Sequence, residues 1–346
     1  MKLARSLDAG PRGFADGLLV ELVGALREMN DGELVWLTST RAATGPELLA
    51  WSKVTGHAIV TTTTTTTSSG VSHVWVVRKG EGVFGAEPSR PIGTRIWIYT
   101  NFDCNLRCDY CCVRSSPVAE RRALGLASIR RVAEEARMLA VDGFYLTGGE
   151  PFLLVDIREI VETCASVAET TLLTNAMLFQ GPRLERLRAL PRDRVTLQVS
   201  VDSPTPALHD LHRGAGSWKK AMAGVRLARE LGFRVRLAAT VDTDEDERSF
   251  RSFLDAEDVA EEDRVIRRLA QRGFAEGGVA LARGDLVPEV TLTANGVYWH
   301  PVGADDQDFF IQRDLFPLAG AIAAVREQWE REREHHDQLA SVFHCA

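Results

Sequence analysis

The chain has 346 residues, 45% of them hydrophobic and 26% charged, with a formal net charge of −7. Such a length and balance fit a globular protein of two domains, or one large domain with an appendage. The acidic balance argues against nucleic acid or an anionic membrane as the main partner. No apolar run approaches the roughly 20 residues that span a bilayer, and Met1 to Phe14 lacks a signal-like apolar core, so the expected compartment is the cytoplasm.

Residues 1–80 read as a small α+β unit. Lys2–Leu7 is a first strand. Asp16–Met29 places Leu18, Leu19, Leu22, Val23 and Leu26 on one helical stripe, and Asn30-Asp31-Gly32 ends it. Glu33–Thr38 is a strand, Pro46–Val54 a short helix, and His57–Thr66 and His73–Val77 are β-branched strands. The run Thr61–Thr67 suits an exposed edge strand running into Ser68-Ser69-Gly70, with no chemistry of its own.

This βαβαββ order resembles the TusA-like sulfur-carrier fold over about the first 80 residues. The resemblance rests on Leu7-Asp8, the helix ending in Met29, Gly32-Glu33, Trp51, Gly56-His57 and the last strand before Lys79. Members of that family carry sulfur on the cysteine of a Cys-Pro motif at the start of the first helix. Here that stretch is Phe14-Ala15-Asp16-Gly17, and no cysteine precedes Cys104. Sulfur carriage needs a thiol, so the resemblance implies a binding or docking unit, not a sulfurtransferase.

Gly82, Gly85, Pro88, Pro91 and Gly93 mark residues 81–94 as a linker. From Arg95 strands and helices alternate: strand Arg95–Thr100, helix Ala127–Ala140, strand Gly143–Leu146, helix Val155–Ala168, strand Thr171–Thr174, helix Arg183–Leu190, strand Val195–Val201, helix Trp218–Leu231, strand Arg234–Val241 and helix Glu247–Leu254. Repeated βα units predict a parallel sheet or barrel over 95–289. Asp263–Gln271 has a helical charge pattern, but its place in the alternation makes it the sixth strand. As a strand it points one of Arg267 and Arg268 inward, where an arginine suits a substrate carboxylate or phosphate; as a helix it leaves both on the surface. Residues 290–346 form a cap: a hairpin over Val290–Trp299 turning at Asn295-Gly296, then a charged helix over Pro317–Ala340 with pairs such as Glu327–Arg331.

Four of the six cysteines fall within nine residues, which points to metal or redox chemistry in preference to a disulfide framework. Cys104-Asn105-Leu106-Arg107-Cys108-Asp109-Tyr110-Cys111 is a CxxxCxxC loop directly after the first barrel strand. Three thiolates can hold a cubane cluster and leave one iron open, since cubanes usually take four cysteines. The alternative is zinc, which favours four ligands in paired cysteine motifs; a second pair is missing. Cys112 and Cys164 read as packing residues. Thr147-Gly148-Gly149-Glu150-Pro151 follows the second strand, at the end of the sheet where barrel active sites lie.

The cysteine loop and the Gly-Gly-Glu-Pro segment together resemble the radical S-adenosylmethionine (SAM) superfamily over about residues 95–300. The resemblance implies a partial (β/α)6 barrel, one 4Fe–4S cluster on Cys104, Cys108 and Cys111, and reductive cleavage of SAM to a 5′-deoxyadenosyl radical that abstracts hydrogen from a substrate. It places Gly148, Gly149 and Glu150 at the SAM amino group and Tyr110 near the adenine. Ser200 and Arg213 resemble the residues that hold the SAM carboxylate in peptide-modifying members; an arginine fork suits a carboxylate. Asp202 belongs to the same pattern. Asn175 sits in a Thr-Asn-Ala where the family has Thr-Asn-Gly. His209 and His212 read either as a catalytic base or as solvated loop histidines.

Implied partners are an electron donor such as flavodoxin or ferredoxin, and a small-molecule or peptide substrate. Many peptide-modifying relatives continue into a cysteine-rich domain with auxiliary clusters. Here His300-Pro301 stands where a cysteine is common, and Cys345 is the one cysteine left near the end. His300, Asp305 or Asp306 would assist only an unusual site, so the cap is expected without an auxiliary cluster. Cys345 either folds back over the barrel mouth or lies exposed. Two other readings are a maturase of peptide natural products, with residues 1–80 docking the peptide, and a non-catalytic iron–sulfur protein in redox or sulfur handling.

Overall fold

The computed structural model describes residues 3–30, 32–55, 57–67, 70–80, 90–279 and 281–342. Most of the expected linker, Ser68-Ser69 of the expected turn and Cys345 lie outside them. The chain separates into two compact units, Met1–Ser89 and Arg90–Ala346.

The first unit runs β1 (Leu3–Gly10), α1 (Leu18–Arg27), β2 (Leu34–Ser39), α2 (Thr44–Thr55), β3 (Ala58–Thr67) and β4 (Gly70–Arg78), the βαβαββ order read from sequence. Its sheet has the order β1-β2-β4-β3. The threonine-rich β3 is thus an edge strand, and Thr61 to Thr65 are exposed. Threonine's β-branch favours the extended chain, and its hydroxyl tolerates water on both sides. Leu18, Leu22 and Leu26 of α1 pack with Val35, Leu37, Leu48, Trp51 and Trp75 in a core of the unit's own.

The second unit contains β5 (Arg95–Tyr99), α3 (Leu126–Ala136), β6 (Gly143–Thr147), α4 (Ile157–Ala165), β7 (Glu169–Thr174), α5 (Pro182–Ala189), β8 (Val195–Ser200), α6 (Pro206–Arg213), α7 (Ser217–Glu230), β9 (Arg234–Val241), α8 (Asp244–Ala256), β10 (Arg264–Arg268), β11 (Thr291–Thr293), β12 (Gly296–Tyr298), β13 (Phe310–Gln312) and α9 (Leu318–Val342). Among the described residues the sheet order is β10-β9-β8-β7-β6-β5-β11-β12-β13, parallel from β10 through β11. This is the strand arrangement of a partial (β/α)6 barrel, with the hairpin β11–β12 added beside β5.

Side chains alternate across each strand. Ile96, Ile98, Phe144, Leu146, Leu172, Leu197, Val199, Leu237 and Ala239 belong to one core with Ile129, Val132, Ile160, Val161, Ala221, Val225 and Phe250 of the helices. The residues between them, among them Trp97, Tyr145, Gln198, Arg236 and Ser200, therefore face the other side, the lumen. The segment 264–268 is a strand, as its place in the alternation required. Its helix-like charge pattern arises because Arg264 and Arg268 find acidic partners, Asp255 and Glu247, on α8.

One expectation is corrected here. His209 and His212 lie on α6, not in a loop, and His209 is 1% exposed. Pro206 at the first turn and Gly214 after the end bound this short helix.

Candidate active site

The cysteine loop leaves the C-terminal end of β5 and is held by backbone bonds on several sides. Gly149 donates to the Asn101 carbonyl and Glu150 to the Asp103 carbonyl, both at 3.0 Å. Asp109 donates to His212 at 3.2 Å, and Phe274, in the loop after β10, donates to the Cys111 carbonyl at 3.0 Å. The buried side chain of Asn101 adds bonds to the carbonyls of Asp103 (2.8 Å) and Glu150 (3.2 Å).

Three glycines make this closeness possible. A Cβ on Gly149 would stand 2.1 Å from the Asp103 carbonyl oxygen, and one on Gly148 2.4 Å from that of Asn101. In the structure this pair seats the start of the cysteine loop, Asn101 to Asp103, against the end of β6. Gly273 was not singled out by sequence. Its φ is +65°, and a Cβ there would lie 2.1 Å from the Cys111 carbonyl.

The thiols differ in setting. Burial pushes Cys104 up to about 12 and Cys108 up to about 11, and neighbouring thiols add to both. Against that, Cys104 Sγ accepts the Leu106 N–H at 3.4 Å and Cys111 Sγ the Ser115 N–H at 3.3 Å, while Arg213 pulls Cys108 down. N–H donors and a guanidinium favour the thiolate form that binds iron. Among the described residues no group of three His, Cys, Asp or Glu side chains is arranged to hold a single metal ion. Cys112 packs with Tyr99, Phe102 and Val113, and Cys164 is fully buried in the helical core.

Glu150 is fully buried, and its carboxylate accepts from Phe152 N–H (3.0 Å), the Thr174 hydroxyl (2.8 Å) and Asn175 N–H (2.8 Å). Burial raises its pKa from the ordinary glutamate value despite these bonds. The side chain thus ties the end of β6 to the end of β7, with one lone pair in reserve. Asn175 extends the tie, donating to Asn105 Oδ1 at 2.8 Å within the cysteine loop. Ala176 has φ +57°, the left-handed region that explains why glycine is at home there.

A second knot forms around Asp202, just past β8. Arg213 grips it with Nε and, at 3.1 Å, Nη2, and the Tyr110 hydroxyl donates to the same carboxylate. Burial works against the charge on Asp202, but Arg213 outweighs it and the pKa is lowered. Arg213 lies 5.5 Å from the centre of the Tyr110 ring. His209 accepts the Asp202 N–H at 3.3 Å; burial first, then Arg213, lowers it to about 4, so it is neutral at pH 7. His212 lies 2.9 Å from Asp109. Ser200 is half-buried at the end of β8 and joins neither knot. Two cavities border the cysteine loop. One of about 520 Å³ is lined by Tyr110, Asp202, His212, Thr240 and Phe274; one of about 610 Å³ by Asn105, Arg107, Met177, Arg213 and Lys220.

Asp305 and Asp306 are engaged by Arg122 (2.9 Å) and Arg272, and His300 accepts the Val302 N–H at 3.2 Å. In the structure these three brace the cap.

The donor set fits an iron–sulfur cluster. Three thiols share one loop, two of them with N–H donors, and the half-buried Arg213 stands beside the third. The comparisons point the same way. Residues 98–256 match the Radical SAM superfamily, so this segment is a radical SAM domain; the superfamily uses a 4Fe–4S cluster and SAM. The antilisterial bacteriocin subtilosin biosynthesis protein AlbA of Bacillus subtilis (strain 168) is 33% identical over 143 residues, 40% of this chain and 31% of AlbA. A GTP 3′,8-cyclase of Yersinia pestis is 32% identical over 156 residues, 44% of this chain and 47% of the cyclase. The matches span less than half the length of either relative. Native anSMEcpe with bound AdoMet shares the fold, with a TM-score of 0.53 and 13% identity over 66% of this chain and 80% of that one.

Proposed function

We propose, with the radical SAM domain at residues 98–256 as the premise, that this protein is an enzyme that cleaves SAM reductively and abstracts hydrogen from its substrate. The observation that carries the reading is the CxxxCxxC loop seated at the C-terminal end of a parallel sheet and fastened there by Gly148, Gly149 and Glu150. Cys104, Cys108 and Cys111 would hold the cluster. Bound there, it supplies the electron that breaks a carbon–sulfur bond of SAM and so releases the 5′-deoxyadenosyl radical.

The protein's own part is position and charge. Arg213, clamped by Asp202 and Tyr110, keeps a fixed cation next to Cys108. Such a cation offsets thiolate charge and offers its outer edge to a carboxylate; Ser200 is the proposed hydroxyl for that same SAM group. Glu150 and Asn175 lock the loops that frame the SAM amino group, and Tyr110 borders the adenine. Because Glu150 also closes the ends of two strands, a Gln there disturbs folding as well as binding.

A second reading narrows the substrate to a peptide. The likeness to a bacteriocin biosynthesis protein supports it, and in it the TusA-like residues 1–80 dock the peptide. Among the described residues no helix is long and apolar enough to cross a membrane; a cytoplasmic site and a flavodoxin or ferredoxin as electron source complete the proposal.

The test is anaerobic reconstitution. The chain should bind about four irons and four sulfides and form 5′-deoxyadenosine under reducing conditions. Cys108→Ala should lose the cluster and fall to background. Full product formation by Cys108→Ala, or tight zinc without iron in the parent chain, would refute the reading.

A further inference from the structure

β10 ends in two adjacent arginines with opposite fates. Ile266 packs against the helical core, and Arg268 reaches Glu247 of α8 at 3.0 Å and the Asp242 carbonyl at 3.4 Å. Arg267, between them, points to the lumen. There it interacts electrostatically with Cys112, Arg236, Tyr145, Tyr99 and His300. It makes no hydrogen bond or ion pair with any described residue. It is exposed, yet the protein around it is dense enough for burial to lower its pKa, with Arg236 acting in the same direction and Cys112 against it.

Arg236 is the second member. It stands opposite Gln198 in the β8–β9 register and donates to the Tyr145 hydroxyl at 3.4 Å. Its Nε is buried and unpartnered, as is Oε1 of Gln198, a residue only 1% exposed. Several other half-buried arginines of this unit carry an acidic partner: Arg95 has Glu289, Arg122 Asp305, Arg213 Asp202, Arg264 Asp255 and Arg272 Asp306. Arg267 and Arg236 both project into the lumen from adjacent strands, Arg267 level with Thr240 and Arg236 four residues earlier on β9, and neither forms an ion pair with a described residue. Their planar forks match a carboxylate or a phosphate.

We infer that Arg267 and Arg236 form an oxyanion site in the barrel lumen, which anchors the carboxylate or phosphate of the substrate. Arg267 lies within electrostatic reach of Cys112, the neighbour of Cys111, so a group held there sits beside the proposed cluster loop. The Tyr145 hydroxyl and the Gln198 amide add neutral hydrogen-bonding groups around it. The word substrate rests on the proposed radical chemistry; the anion site itself does not.

Trp97 stacks on Tyr145 at 4.6 Å and provides a fluorescent reporter. The purified full-length chain, with and without reconstituted cluster, is titrated with inorganic phosphate and separately with succinate at constant ionic strength. At least one anion should bind saturably. The tighter of the two identifies the source, a phosphorylated substrate or a carboxylate one. Arg267→Gln should weaken that binding about ten- to a hundred-fold, as loss of a charge-assisted bond does. Arg268→Gln removes the same charge from the outer face and should leave it unchanged. If Arg267→Gln does not fold, Arg267→Lys, which keeps the charge but not the fork, should still bind more weakly. No saturable binding of either anion, equal losses at 267 and 268, or wild-type affinity in the lysine variant would overturn the site. None of these outcomes bears on iron content or deoxyadenosine formation, so the two proposals stand or fall separately.

Discussion

Gly273 is where the last loop of the parallel sheet meets the first, with no space for a methyl group between them. An alanine there must also adopt a φ of +65°, which costs about 1–2 kcal/mol, and must push the Cys111 carbonyl aside. Gly273→Ala is expected to melt somewhat lower and to load well under half the iron of the parent chain after reconstitution. Wild-type iron content in this variant would show that the contact does not position the loop. Residues such as the three cysteines were legible because their chemistry and their spacing lie in one short stretch. Gly273 was not, because its constraint is a contact between distant parts of the chain. Glu150 was legible as important, but only the folded chain shows its carboxylate turned inward onto three donors.

At the scale of elements, several strands of the second unit were readable because one face is aliphatic, as Val195, Leu197 and Val199 make it on β8, and β10 because five strand–helix alternations precede it. The short helix α6 was missed; it offers two turns and a single fully buried side chain, His209, which is too little for a periodic signal. Helix α7 carries a subtler constraint. A Cβ on Gly224 would come 2.1 Å from the Ala176 carbonyl and 2.7 Å from its Cβ. Alanine in a helix interior normally gains up to about 1 kcal/mol over glycine. Here overpacking against backbone, about 1–3 kcal/mol, should win. Gly224→Ala is predicted to lower stability by about 1–2 kcal/mol, measured by urea unfolding; a stabilised variant would contradict the packing described.

On the scale of the whole molecule, the two units have separate hydrophobic cores, and every residue proposed to contact cluster or SAM lies in the second. Deleting residues 1–89 should therefore leave iron binding and uncoupled deoxyadenosine formation largely intact. If the truncated chain keeps its cluster but no longer cleaves SAM, the first unit takes part in the site. The glycines and prolines of residues 81–94 read as a linker in sequence, and the compact units divide after Ser89. The fold of the first unit was legible as an order of elements, whereas its role was not, since the position that would carry sulfur in the family it resembles holds no thiol.

The grip of Phe274 on the Cys111 carbonyl also sets a timetable. A ribosome releases the cysteine loop long before it reaches β10, and chains fold progressively from the N-terminus as they emerge. Until Gly273 and Phe274 appear, the loop lacks one of its walls. Iron should therefore enter after the sixth strand has docked, making cluster insertion a late event of biogenesis. Nascent chains arrested before residue 264 should take up far less iron on reconstitution than chains arrested after residue 300; equal uptake would place insertion earlier.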